Sequence, residues 1–399
     1  MAISQTQLAN RYTLHNTVQL IRGGAPYFDA LVQIAQNAQH SLHFQTYIFD
    51  EDETGQRVAN ALCNAATRGV QVYLLVDGYA SQNLSASFRQ QLQNAGVNFR
   101  FFEPVFFTYK YYLGRRMHHK VLVADGQTGL VGGVNVSNRY NDMPGVPAWM
   151  DWALKVHGEA AAALHKICTR MWQRNVFKKT ECLPRVLPPS TVPDNICKVR
   201  VSRNDWVFRR TDISASYREM FTRARSHATV MSSYFWPPSR LLRRIEVAAR
   251  RGVAVRIVLA GHADVPLAKY AERYLYRRLF RAGIEVYEYQ PGVLHAKIAF
   301  RDDEWATIGS YNVNNISAFA SIELNLDVED VSTATELRTA VEQIIARDCR
   351  KVIPSAYQLS SNPFRIFLNY GAYLLVHFNF YMITFYITQT EGKHKRTQP

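Results

Sequence analysis

The chain has 399 residues, 47% of them hydrophobic, and its 47 Lys and Arg outnumber its 32 Asp and Glu to give a formal charge of +15. That is long enough for two domains with cores of their own and too apolar for wholesale disorder. The charge predicts an anionic partner (nucleic acid, a phosphorylated small molecule or an anionic membrane) without choosing among them. The five cysteines, Cys63, Cys168, Cys182, Cys197 and Cys349, are odd in number and form no C-x-x-C pair. They argue against a disulfide framework or a zinc site and for a reducing compartment.

In chain order, the opening MAISQTQLANRY lacks the basic-then-apolar layout of a secretory signal, so the body of the protein is expected in the cytoplasm. A series of segments then occurs twice, in the same order. QTYIFD (45–50) is echoed by SSYFWP (232–237), ATRGVQVYLLVDG (66–78) by ARRGVAVRIVLAG (249–261), and NAGVNFRFFEP (94–104) by RAGIEVYEYQP (281–291). Each half reads strand, helix, strand, helix, strand, with Gly69 and Gly252 where a helix should stop and an apolar strand begin. Helices alternating with fully apolar strands predict an α/β sandwich in each half. LPRVLPPSTVPDN (183–195) places four prolines in thirteen residues, which suits neither helix nor central strand. The expected organisation is a first domain over 1–182, a linker over 183–195, a second domain over 196–355 and a tail over 356–399.

The repeat carries polar residues as well. HHKVLVADGQTGLVGGVN (118–135) and HAKIAFRDDEWATIGSYN (295–312) share His-x-Lys-x4-Asp-x6-Gly-x2-Asn, with every shared position 177 residues apart. On a strand, positions i and i+2 face the same way, so His118 and Lys120 project together, as do His295 and Lys297. Apolar repetition alone would fit a structural tandem with no shared site; a duplicated polar signature does not. If the halves pack about a pseudo-two-fold axis, two imidazoles, two ammonium groups and two amides surround one small anion. Such a site suits a phosphodiester. One His attacks phosphorus and the other protonates the departing oxygen. Lys120, Lys297, Asn135 and Asn312 stabilise charge on the non-bridging oxygens. No Gly-rich phosphate loop or carboxylate cluster is apparent, so no metal or cofactor is expected. Asp151, in PAWMDWALKVHG, and Glu323, in SIELNLDVED, are candidates to accept an imidazole N–H and set its tautomer, with a satisfied strand-end acid as the alternative. Asp125 and Asp302 follow their strands at turns, where bracing the backbone is the simpler role.

These residues resemble the paired H-x-K-x4-D signatures of the phospholipase D superfamily over nearly the whole chain. Within it the match is closest to bacterial cardiolipin synthases, in RRMHHKVLVADGQTGLVGGVN, LHAKIAFRDDEWATIGSYN, LLVDGYAS and the downstream ELN. The chain is similar to the shorter members, without N-terminal transmembrane helices. The resemblance implies two tandem domains related by a pseudo-two-fold and a two-step phosphatidyl transfer through a phosphohistidine. In that transfer His118 and His295 divide the nucleophile and acid–base roles, and Lys120, Lys297, Asn135 and Asn312 hold the phosphate. It places Asp125 and Asp302 in the site set and implies phosphatidylglycerol as one substrate. Tyr311 and Val313 stand where small or acidic residues are common, a departure expected to alter the acceptor pocket.

Three stretches bear on lipid. FFEPVFFTYKYYLGRRM (101–117) interleaves aromatics with Lys110, Arg115 and Arg116, a composition that suits admitting a lipid, stacking single-stranded nucleic acid, or a packed hairpin with a solvated rim. YAERYLYRRLFRAG (270–283) reads as an amphipathic helix with a basic outer face. IFLNYGAYLLVHFNFYMITFYI (366–387) has no Asp, Glu, Lys or Arg, and helical spacing aligns Asn369, Tyr373, His377, Thr384 and Thr388 in one stripe. That layout favours a helix lying in the headgroup region over one that spans the bilayer or fills a core. The terminal KHKR (393–396) adds attraction to anionic lipid. The expected protein is a phosphatidyltransferase held peripherally on the cytoplasmic face of a bacterial inner membrane. A phospholipase-type hydrolase or nuclease and an inactive lipid-binding module are the alternatives. The aromatic approach and the apolar tail weigh against nucleic acid as substrate.

Overall fold

The computed structural model describes residues 12–103, 115–174, 196–262, 265–319, 321–355, 357 and 367–375. The first half runs β1 (Thr13–Arg22), α1 (Ala25–Asn37), β2 (Ser41–Thr46), α2 (Glu53–Thr67), β3 (Gln71–Asp77), α3 (Ala86–Asn94) and β4 (Asn98–Phe102). It continues through β5 (Arg116–Met117), β6 (Lys120–Ala124), β7 (Thr128–Gly132), β8 (Trp152–Gly158) and α4 (Glu159–Arg174). The second half runs β9 (Cys197–Asp205), β10 (Arg210–Thr211), α5 (Asp212–Arg223), β11 (His227–Ser232), β12 (Phe235–Trp236), α6 (Ser239–Arg250), β13 (Ala254–His262) and α7 (Pro266–Arg281). Then come β14 (Glu285–Val293), β15 (Lys297–Arg301), β16 (Trp305–Gly309), β17 (Val313–Asn314), α8 (Asn315–Phe319), β18 (Ser321–Glu329), α9 (Val331–Asp348) and β19 (Cys349–Lys351).

Local signals explain the elements. In α2, Asp52 accepts the Gly55 N–H as N-cap, and Val58, Ala59, Leu62 and Ala65 form the buried stripe. Gly69 and Gly252 follow α2 and α6 at φ +94° and +92°, a left-handed conformation that releases the chain from the helix and favours glycine. β2 is buried along all six residues and β3 along six of seven, as the continuous apolar runs predict.

The pairings make the duplication explicit. In the first half the strand order is β1-β8-β7-β6-β2-β3-β4, with β2, β3 and β4 parallel and the others antiparallel. In the second it is β9-β18-β16-β15-β11-β13-β14, with the same sequence of senses. β1 and β9 also touch edge to edge at Thr13–Val199 and Asn16–Cys197.

Three of the four hydrophobic clusters among the described residues follow directly from this layout. Helices α1 to α3 cover the outer face of the first sheet, burying Leu31, Leu62 and Phe88 against Phe44, Leu74 and Leu122. Helices α5 to α7 do the same for the second, around Phe221, Ile245 and Leu279. The third cluster lies between the halves. Val121, Val131 and Leu154 of one sheet meet Met231, Ile298, Ile308 and Leu324 of the other, with Leu164 of α4 and Leu337 of α9. The inner faces of both sheets are therefore buried against each other, which is why strands from both halves carry apolar residues on both sides.

The linker stretch 183–195, the aromatic stretch 104–114 and residues 376–399 lie outside the described residues. Residues 367–375 are helical and lie along α7, where Ala372 is buried and Tyr373 packs beside it. Tyr274 of α7 contacts the rings of Tyr370 and Tyr373 at 5.3 and 4.7 Å. The stripe of Asn369 and Tyr373 thus turns toward the protein, whereas Phe367, Leu368, Tyr370, Leu374 and Leu375 are exposed. Among the described residues, no helix is long and apolar enough to cross a membrane.

Candidate active site

Each half threads its His segment onto a strand of the other. β5 pairs in parallel with the start of β18, and the His118 N–H donates to the Ile322 carbonyl at 3.0 Å. Reciprocally, the Met150 N–H donates to Val293 and the His295 N–H to Met150, at 2.9 and 2.8 Å. Ile322 precedes Glu323 and Met150 precedes Asp151. The exchange of backbone between halves therefore sets a carboxylate of one half beside the imidazole of the other.

His118 Nδ1 lies 3.0 Å from Glu323 Oε2, and His295 Nδ1 lies 2.6 Å from Asp151 Oδ2. Both carboxylates are at most 1% exposed, and both rings keep a small exposed fraction. A neutral imidazole donating Nδ1–H to a buried carboxylate holds its Nε2 lone pair free for other chemistry. The two pairs are supported differently. Ser310 Oγ donates to Glu323 Oε2 at 2.5 Å. At the matching position Gly133 packs so closely on Asp151 that a Cβ there would stand 2.4 Å from Oδ2. A longer acid with a hydroxyl brace on one side is thus answered by a shorter acid against a bare backbone on the other.

Lys120 and Lys297 are buried, each directed to the carbonyl of its own His, Lys120 at 2.5 Å. Lys297 also donates to Ser233 Oγ at 3.2 Å and stands 3.9 Å from Asp151 Oδ2. Lys120 lies 5.2 Å from the centre of the Tyr47 ring. Asn135 and Asn312 are both buried. Asn135 Oδ1 accepts from the Ile48 N–H at 3.2 Å, and Asn312 Oδ1 has no partner among the described residues.

The electrostatics show that the groups share one space. Burial lowers the His118 pKa, opposed by Glu323 and reinforced by Lys120 and, from the other half, Lys297. Burial pushes His295 well below its ordinary value, assisted by Lys297, Lys120, His118 and Arg139. Lys120 falls to about 7, chiefly through burial and against the pull of Glu323. Asp151 rises to about 7, again through burial, with Lys297 opposing. Both imidazoles are therefore neutral in the open cleft at physiological pH. An arriving phosphate dianion or diester oxygen favours their protonated forms. Among the described residues, no group of three His, Cys, Asp or Glu side chains is placed to hold a metal ion.

Aromatic walls complete the cleft. Tyr47 packs on His118 at 4.9 Å between ring centres, and Tyr140 and Trp149 flank His295 at 5.0 and 6.0 Å. A pocket of about 420 Å³ opens beside Asp151, with Arg22, Trp149, Tyr289 and Arg347 in its wall. A larger hollow of about 810 Å³, near Arg225, Arg301 and Glu329, lies toward the opposite end of the strands and contains none of these groups.

One expectation, taken from the resemblance, is corrected. Asp125 and Asp302 are not part of the cluster. Each lies five residues beyond its lysine, about 16 Å along the strand. Asp125 accepts the backbone N–H groups of Gln39, His40 and Ser41 at 2.8–2.9 Å, and Asp302 those of Arg225, Ser226 and His227 at 2.8–3.1 Å. Both adopt positive φ, +55° and +51°, and tie the entry of β2 or β11 to the turn after the His-Lys strand. Tyr311 is fully buried beside Tyr217, within hydrogen-bond distance of Ser214. The cations before His118 are also engaged. Arg115 pairs with Glu103 and Asp205, and Arg116 with Asp77.

Sequence reasoning missed Tyr47, Gly133, Tyr140, Trp149, Ser233 and Ser310. The repeated QTYIFD and SSYFWP held Tyr47 and Ser233, and Gly133 and Ser310 sit inside the two motifs, so their position was a signal. Tyr140 and Trp149 have no echo in the second half.

The comparisons agree with this architecture. A family model described as "Cardiolipin synthase, PLD-like domain" matches residues 31–172 and 217–345. The chain is 34% identical over 349 residues to cardiolipin synthase B of Salmonella typhimurium, covering 84% of this chain and 82% of that protein. It is 33% identical over 348 residues to cardiolipin synthase B of Escherichia coli, with the same coverages. A cardiolipin synthase of Geobacillus thermodenitrificans is 30% identical over 359 residues, 89% of this chain and 70% of that protein. Among solved structures, phosphatidylserine synthase of Haemophilus influenzae superposes with a TM-score of 0.67 at 16% identity, covering 87% of this chain and 91% of that one. At that identity the likeness speaks for the fold alone.

Proposed function

The chain belongs to the cardiolipin synthase family of phospholipase D-like proteins, and from that premise we propose how its cleft carries out phosphatidyl transfer. The enzyme is a phosphatidyltransferase acting on phospholipids. Its donor is phosphatidylglycerol and its product cardiolipin. One imidazole Nε2 attacks the donor phosphorus, forming a P–N bond as the P–O bond to the glycerol headgroup breaks. The second imidazole, protonated on entry of the anionic substrate, gives its proton to that glycerol oxygen. The same imidazole then takes the proton of an acceptor hydroxyl, which attacks phosphorus and breaks the P–N bond. Lys120, Lys297 and the amides of Asn135 and Asn312 stabilise the non-bridging oxygens through both steps. Glu323 and Asp151 hold the two rings with Nε2 facing the phosphate.

The observation that carries this reading is the crossed pairing, in which each imidazole is hydrogen-bonded to a buried carboxylate of the other half. It leaves Nε2 of both imidazoles free, one to attack phosphorus and the other to relay the proton, as a reaction that runs through a phosphohistidine and back requires. The exposed Phe367, Leu368, Leu374 and Leu375 beside Tyr270 and Tyr274 form an apolar patch. It suits peripheral attachment to the cytoplasmic face of the inner membrane.

The test is incubation of purified protein with defined phospholipids in vesicles, followed by mass spectrometry. Cardiolipin and free glycerol from phosphatidylglycerol alone support the proposal, and His118→Ala and His295→Ala should each remove both products. Phosphatidic acid without cardiolipin would replace it with a hydrolase.

A further inference from the structure

Beyond the two buried lysines, a further cation stands at the cleft beside His295. The Arg139 guanidinium lies over the rings of Tyr140 and Trp149, at 5.7 and 5.5 Å from their centres. Those same rings pack against His295. The separations hold the guanidinium within about 11 Å of the imidazole centre. It is close enough for its charge to disfavour protonated His295.

Arg139 is also loosely engaged. Its ion pair with Asp50, at 3.1 Å, is solvent-exposed on both sides, 43% and 36%. A pair of that kind is worth at most about 1 kcal/mol and yields readily to a better anion. Arg116, by contrast, is tied to a fully buried Asp77. The 177-residue offset matches Arg139 to Ile316, which is 45% exposed. Of two matched positions in the repeat, one therefore carries a cation and the other an exposed apolar side chain.

The phosphate being transferred has no use for this asymmetry, since both lysines and both amides already surround it. The acceptor does. If, as proposed above, the acceptor is phosphatidylglycerol, its reacting hydroxyl is joined through three carbons to a phosphodiester of its own. Six bonds of about 1.5 Å then hold the two phosphorus atoms roughly 6–7 Å apart. A forked guanidinium, pre-oriented on an aromatic shelf just beyond His295, matches an anion at that range.

We propose that Arg139, on the shelf of Tyr140 and Trp149, binds the acceptor lipid's own phosphate and so selects a phosphate-bearing acceptor over a neutral alcohol. The inference rests on the phosphatidyltransferase reading and extends it to acceptor choice. Arg139 acts on the ground-state position of the acceptor, not on the phosphorus.

The experiment uses the full chain with phosphatidylglycerol as donor and deuterated glycerol as a competing neutral acceptor. Cardiolipin and deuterium-labelled phosphatidylglycerol are quantified together by mass spectrometry. Arg139→Gln is expected to lower the ratio of cardiolipin to labelled phosphatidylglycerol at least tenfold, through a raised KM for the lipid acceptor. Arg139→Lys should recover part of the ratio, and Ile316→Ala should not shift it. An unchanged ratio in Arg139→Gln overturns the inference, whether both products persist or both fall together. So does an equal shift in Ile316→Ala. Wild-type protein that makes labelled phosphatidylglycerol or phosphatidic acid but no cardiolipin would instead sink the cardiolipin reading, and the inference with it, before any variant is made.

Discussion

Replacing Asp151 by Asn separates the role of the crossed carboxylates from their role in folding. Asp151 Oδ1 accepts the Trp152 N–H at 2.8 Å, and Oδ2 faces His295 Nδ1 at 2.6 Å. Asn keeps the first contact with its carbonyl, which leaves its NH2 group aimed at Nδ1. His295 then presents a lone pair at Nδ1 and carries its proton on Nε2, the tautomer that can neither attack phosphorus nor accept the acceptor's proton. Loss of the reactive tautomer should lower kcat by about two to four decades. The upper end matches the roughly 10⁴ lost on the analogous change in a Ser-His-Asp triad. Stability should move the other way. Burial raises the Asp151 pKa from 3.8 to about 7, so between those values the native state holds a proton that the unfolded chain releases. Wild-type stability therefore declines as pH rises through that window, by on the order of 4 kcal/mol in full, and Asn is spared the decline. The assay is kcat from cardiolipin formation at pH 8, beside thermal melts at pH 5 and pH 8. The variant should be nearly inactive yet at least as stable as wild type at pH 8. A kcat within tenfold of wild type, or a loss of activity matched by a fall in Tm, would refute the tautomer argument.

Gly133→Ala should push the Asp151 carboxylate off His295, since its Cβ would meet Oδ2 at 2.4 Å; we expect a tenfold or greater loss of kcat with the fold retained, read by the same assay. Asp125→Ala should leave kcat nearly unchanged while costing about 2–3 kcal/mol in denaturant unfolding, because three backbone N–H groups lose a charged acceptor. Phe367→Glu with Leu374→Glu keeps the Ala372 and Tyr373 contacts with the second half and removes two exposed apolar anchors. At about 1.5–3 kcal/mol each, vesicle sedimentation should weaken by well over tenfold, and unchanged binding would move the membrane contact elsewhere.

The duplication, the α/β class and the strands that begin at Lys120 and Lys297 were legible in the sequence because they are local. A strand face follows from period two, a helix stop from Gly69 or Gly252, and the repeat from an offset that sequence order preserves. The candidate cluster was legible as residue types, and its aspartates were placed only by resemblance. Asp125 and Asp302 belong to the motif through a turn that must be braced, about 16 Å along the strand from the lysines they accompany. What tertiary structure alone decided is the partner of each imidazole. Asp151 lies 144 residues from His295 and Glu323 lies 205 from His118. Within each half the acid follows its own His, so sequence order points to the wrong pair. The halves exchange backbone at Ile322 and Met150 because their inner sheet faces are buried against each other, and that packing carries each acid across the boundary. The same packing makes the cleft asymmetric. Arg139 and Ile316 stand at matched positions in the repeat, and only the fold shows that one of them rests on the rings around His295.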